Sequence, residues 1–127
     1  MKKVQLALGI LLLFALATMS FGADAAQPAL KKVEPKTVCM ITEHAMGKPQ
    51  IPVTVDGKTY YGCCDMCKKT LATDATKRVA TDPQSGAEVD KASAVIAADA
   101  DGKIFYFEND KNLKAYNAKL AKGGEKK

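Results

Sequence analysis

The chain has 127 residues, with 19 basic and 14 acidic side chains for a formal net charge of +5, four cysteines, one histidine and no tryptophan. That length holds one domain, or two very small ones, and excludes a large multidomain enzyme. With His44 as its lone histidine, the chain excludes metal catalysis built on several histidines, and its scattered glycines form neither a Walker-type phosphate loop nor GxGxxG.

The N-terminus comes first in chain order. Met1-Lys2-Lys3 is a basic start, Val4 to Met19 is almost wholly apolar, and small residues follow through Ala26. This is the pattern of a secretory signal peptide. Ala23-Asp24-Ala25 places cleavage before Ala26, so residues 1–25 are expected to be removed; Ser20-Phe21-Gly22 is the second choice. A retained anchor fits less well, because a spanning helix needs about 20 apolar residues. No cysteine follows the cleavage region, which argues against a lipoprotein. The expectation is a periplasmic or secreted chain with no membrane contact after processing. Its lysines are interspersed with acids and form no stripe with aromatics, so nucleic acid is not an expected partner.

Residues 26–36 are rich in Ala, Pro and Lys and read as a disordered leader; residues 122–127 read as a frayed tail. Between them the chain echoes itself. Asp56-Gly57-Lys58-Thr59-Tyr60-Tyr61 recurs as Asp101-Gly102-Lys103-Ile104-Phe105-Tyr106, 45 residues later. Each copy follows an apolar stretch (Ile51 to Val55; Ala94 to Ala98) and precedes a helical pattern (Asp65 to Thr73; Asn109 to Leu120). Asp-Gly between alternating apolar runs is a strong hairpin signal, since a type I′ turn needs positive φ. Asn109 suits the cap of the second helix, with Asp110 in its first turn. Leu113, Tyr116 and Leu120 then share a face, with Phe105 or Phe107, which alternation puts on one side of the strand, expected beneath it. On the first helix Met66, Thr70 and Leu71 are expected to face inward. The expected fold is α+β: a small two-lobed domain of two hairpin–helix (ββα) units, treble-clef-like, over residues 37–78 and 79–121.

The halves differ in their thiols. The cysteine pattern is Cys39-x23-Cys63-Cys64-x2-Cys67, wholly in the first half. At the 45-residue offset Cys63 becomes Glu108, Cys67 becomes Asn112, and Cys39 becomes Gln84 or, one residue on, Ser85. Cys63 and Cys67 are four apart, a spacing that puts side chains on one helical face. A loop, a strand end and a helix start can bring thiolates to one tetrahedral ion, and the helix N-terminus favours the thiolate. Cys39, Cys63 and Cys67 are therefore candidate ligands, with Cys64 or His44 completing four. Met40, Met46 and Met66 add thioethers nearby, and soft donors suit Cu(I) above all.

The Cys39, Cys63, Cys67 array, entered through Tyr60-Tyr61-Gly62, resembles the TRASH domain, a small module associated with heavy-metal sensing and trafficking. Asp82-Pro83-Gln84-Ser85-Gly86 followed by Phe105-Tyr106-Phe107 and a helix is similar to a YHS-type segment, with Ser85 where a cysteine would be expected. The resemblance spans about residues 38–120. It implies a metal-binding, non-enzymatic protein with a metal-transport or cuproenzyme partner; because the repeat supplies soft donors only in the first half, one soft ion, Cu(I) or Zn(II), is expected per chain. Two other readings stay open. Four cysteines in an oxidising compartment can form structural disulfides, and Cys64-Asp65-Met66-Cys67 is a CxxC of the kind used by thiol–disulfide oxidoreductases.

Overall fold

The structure is a computed structural model that describes residues 29–122; the expected signal peptide, residues 1–25, and residues 123–127 of the expected tail lie outside the described residues. The fold is α+β. In chain order it runs β1 (Lys31–Lys32), β2 (Val38–Cys39), β3 (His44–Ala45), β4 (Ile51–Val55), β5 (Lys58–Gly62), α1 (Asp65–Thr73), β6 (Val79–Thr81), β7 (Glu88–Asp90), β8 (Val95–Ala98), β9 (Ile104–Phe107) and α2 (Asp110–Ala121). β2–β3, β4–β5 and β6–β7 are separate antiparallel pairs, and β1 joins β8–β9 as a third strand. Each half thus runs short hairpin, longer hairpin, helix.

The turn chemistry acts as expected. Asp56 and Gly57 both have positive φ, 50° and 76°, and close β4 onto β5 with Val55 opposite Lys58. Alternation then points Val53 and its cross-strand partner Tyr60 into the core. In the second half the Asn109 side chain accepts from the Asn112 N–H and caps α2. Leu113 is buried, and Tyr116 and Leu120 pack beside it against Phe107, which is fully buried, and Phe105. The other face of β9, Ile104 and Tyr106, is buried too. β9 is therefore covered on both sides, by α2 and by the main core.

That main core draws on both halves: Val38, Met40, Val53, Tyr60 and Leu71 from the first, and Val89, Ile96 and Tyr106 from the second. Polar ties reinforce the junction. The Tyr60 hydroxyl donates to both carboxylate oxygens of Asp90, at 2.9 and 3.1 Å, and Lys58 Nζ reaches Asp90 Oδ2 at 2.6 Å. Arg78 Nη1 donates to the Leu71 carbonyl at 2.7 Å, satisfying an orphan acceptor at the end of α1.

Two expectations need correction. Residues 29–36 are not a featureless leader. Leu30 is buried, its N–H donates to Asn117 Oδ1 at 2.8 Å, and Lys31 and Lys32 pair with Ala98 and Ala97. Leu30 fills a gap beside α2, and the open edge of β8 supplies the backbone partners. Nor does Met66 face inward: it is 77% exposed. The buried stripe of α1 is Cys67 and Leu71, four residues apart, and Met66 lies one residue off it.

Candidate metal centre

The site is built from three pieces of local structure. The first is the β2–β3 hairpin, in which Cys39 lies opposite His44 and the chain reverses through Met40 to Glu43, Glu43 taking a φ of 55°. This turn aims the Thr42 N–H at Cys39 Sγ, 3.5 Å away. The Met40 N–H donates to the Tyr61 carbonyl at 2.9 Å, which docks the turn on β5. The second piece is the end of β5, where Cys63 follows Gly62. The third is the start of α1, with Cys64 at the N-cap and Cys67 in the first turn. Gly62 permits the closure: a Cβ there would meet the Cys67 Cβ at 2.8 Å and the Lys68 backbone N at 3.1 Å.

Cys39, Cys63 and Cys67 converge, each Sγ lying within 4.8 Å of the other two. Cys63 and Cys67 are 3.7 Å apart. A tetrahedral Zn–S site with bonds of about 2.3 Å has sulfur–sulfur edges of about 3.8 Å, so the three thiols need only a small inward adjustment to share an ion. Cys39 is fully buried and Cys67 nearly so, while Cys63 and Cys64 are exposed. The group thus has a buried floor and an open rim.

The other two predicted ligands stand differently. Cys64 Sγ is 3.4 Å from Cys67 Sγ but is not one of the three mutually close thiols. His44 is not in that group either. Its ring packs on the Asp99–Gly102 turn, where a Cβ on Gly102 would meet Nε2 at 2.7 Å. The Ala45 N–H donates to the Gly102 carbonyl and the Ile104 N–H to the Glu43 carbonyl, so β3 docks the first half on the second. Met40 is buried in the core, and Met46 and Met66 are exposed.

The thiols differ in proton affinity. Burial pushes Cys39 up, but the Thr42 hydroxyl and the N–H groups of Thr42 and Ile41 outweigh it and bring the thiol down to about 7. Burial and the adjacent thiols of Cys64 and Cys63 push Cys67 up to about 12. Cys63 is raised, chiefly by its contact with Cys39, and Cys64 is lowered, chiefly by the backbone N–H of Cys67. Of the three converging thiols, Cys39 is therefore the readily ionised one while Cys63 and Cys67 hold their protons, and a bound cation would displace those protons.

Sequence reasoning missed Lys91. It is 4% exposed, and its Nζ donates to the Met40 carbonyl at 2.8 Å and to Glu43 Oε1 at 3.2 Å, 5.2 Å from the centre of the Tyr106 ring. A cation from the second half thereby pins the turn that presents Cys39. Local sequence carries no signal for this, since the partners are 51 and 48 residues away.

The second half has a counterpart of the cluster. Ser85 Oγ donates to Glu108 Oε2 at 2.9 Å, and Asn112 Nδ2 donates to the same oxygen at 3.1 Å. These are the positions that the 45-residue offset pairs with Cys39, Cys63 and Cys67, with the one-residue shift to Ser85. Buried Asp82 organises them: it accepts from the N–H groups of Gln84, Ser85 and Glu108 and from Asn112 Nδ2. No protein-family model, no curated protein and no solved structure matches this chain.

Proposed function

We propose that this is an exported, non-enzymatic protein that carries one soft metal ion, Cu(I) or Zn(II), in metal trafficking or resistance. Cys39, Cys63 and Cys67 are the ligands, and the fourth coordination position faces solvent. The observation that carries this reading is the convergence of three thiols from the β2–β3 hairpin, the end of β5 and the start of α1 to within 4.8 Å. Protein thiolates in this number and spacing suit Zn(II) and Cu(I) better than hard cations. The basic start, apolar run and Ala-x-Ala of residues 1–25 support export to the periplasm or beyond. The resemblance to TRASH and YHS modules supports the trafficking role, with a metal transporter or cuproenzyme as the partner that receives the ion. The two hairpin–hairpin–helix halves are read as two treble-clef-like lobes on a shared core, the second acting as a structural cover.

Native mass spectrometry of anaerobically purified protein tests this reading. It should find one zinc or copper ion per chain and no disulfide. Two tightly held ions, or none after incubation with either metal, would overturn it.

A further inference from the structure

Resting on that reading, we propose that Cys64 and Cys67 form a thiol–disulfide gate that releases the bound ion when a low-molecular-weight disulfide oxidises the pair. The geometry that carries this is the placement of Cys64. It is the N-cap of α1 and Cys67 the third helical residue, a spacing at which an N-cap side chain lies over the first turn. Their sulfurs are 3.4 Å apart. Cys64 is exposed and Cys67 buried, and Cys64 stands outside the three mutually close thiols whereas Cys67 is one of them. One thiol is thus open to a solution oxidant and free of the ion, and it touches a thiol that the ion needs. The neighbouring pair, Cys63 and Cys67, lies at 3.7 Å, but both its members belong to the ligand group.

The steps balance. The Cys64 thiolate attacks one sulfur of a disulfide RSSR, the S–S bond breaks, and one RS⁻ leaves, giving a mixed disulfide on Cys64. The Cys67 thiolate then attacks Cys64 Sγ, the Cys64–SR bond breaks, and a second RS⁻ leaves. Two cysteine thiolates have lost two electrons, and RSSR has gained them as two RS⁻. The ion keeps Cys39 and Cys63 alone. The two RS⁻ formed in the reaction are themselves soft ligands and take the ion away.

The test uses zinc, which has no redox chemistry of its own, so the oxidant acts on the thiols alone. Zinc stoichiometry of the full chain and of Cys64→Ser is read first. Oxidised glutathione is then added, zinc release is followed with a chromophoric chelator, and disulfides are mapped by mass spectrometry. The expected result is one zinc released per wild-type chain with a Cys64–Cys67 linkage and two glutathione thiols formed. In Cys64→Ser, release should be at least about tenfold slower, because no exposed thiol outside the ligand group remains to attack. Equal release rates in the two proteins, or a linkage elsewhere such as Cys39–Cys63, would overturn the gate. So would a Cys64→Ser chain that fails to load zinc, since Cys64 would then be a ligand. A wild-type chain that takes up no zinc before oxidant is added would overturn the gate together with the metal-carrier reading. Zinc uptake followed by Cys64-independent release leaves that reading standing and removes only the gate.

Discussion

Ser85 Oγ and Glu108 Oε2 meet at 2.9 Å in the second half, at the positions that correspond to Cys39 and Cys63 in the first. Asn112, corresponding to Cys67, completes the set by donating to Glu108. The same elements therefore bring three side chains together twice, once as thiols and once as a self-satisfied polar group. Oxygen and amide groups already bonded to one another are weak competitors for a soft ion.

This equivalence predicts a gain of function. Ser85→Cys, Glu108→Cys and Asn112→Cys combined should create a second soft-metal site, read as two zinc ions per chain by native mass spectrometry. Uptake that stays at one ion in a folded triple variant would contradict the equivalence of the two clusters.

Gly62 gives a more local prediction. A methyl group there meets helix atoms at 2.8 and 3.1 Å, one of them backbone, so Gly62→Ala must push the start of α1 away from β5. Overpacking of this kind costs about 1–3 kcal/mol. Since about 1.4 kcal/mol is tenfold in affinity, zinc binding should weaken by roughly tenfold, read by chelator competition. Unchanged affinity would show that Cys67 is not held as a ligand.

Much of this was legible in the chain, for physical reasons. The Asp56-Gly57 turn, the Asn109 cap and the face of α2 are local signals, and each is found where it was expected. The thiol spacing also pointed to Cys39, Cys63 and Cys67 as a group. The stripe of α1 was harder, because in a nine-residue helix with Met66, Cys67 and Leu71 two overlapping faces are apolar. His44 and Lys91 were opaque for another reason. His44 packs on Gly102, and Lys91 reaches the Met40 carbonyl, both contacts made across the junction between halves. Leu30 was hidden in a composition typical of disorder, and its place depends on Asn117, 87 residues on.

Proton release follows from the thiol environments. Cys39 ionises near 7, while Cys63 and Cys67 are pushed up and stay protonated there. Zinc binding at pH 8 should release about two protons, rising toward about three below pH 6, where Cys39 is protonated as well. Apparent affinity must therefore fall as pH drops, and more steeply below 7. Calorimetry in buffers of different ionisation enthalpy measures the count; a value near zero at pH 8 would exclude thiol ligands.

Asp82 predicts acid sensitivity in the second half. Burial alone would raise its carboxyl, but Asn112 and the N–H groups of Glu108, Gln84 and Ser85 outweigh this and hold it below the ordinary value. A carboxylate with a depressed folded-state pKa stabilises the fold above its unfolded value of about 3.9, and that contribution is lost as pH falls through the folded value. Asp82→Asn removes the charge and leaves donors facing a donor, at a cost on the order of 2 kcal/mol. The thermal midpoint at pH 7 should drop by on the order of 10 °C, and the gap to wild type should narrow in acid, as pH falls below the ordinary carboxylate range. A gap that is absent at pH 7, or that widens in acid, would contradict the role given to Asp82.

The central claim is that Cys39, Cys63 and Cys67 together hold one soft ion. X-ray absorption spectroscopy at the zinc edge of the zinc-loaded chain tests it most directly. The account predicts about three sulfur neighbours at about 2.3 Å and one lighter atom from solvent. A first shell made only of nitrogen and oxygen would contradict it.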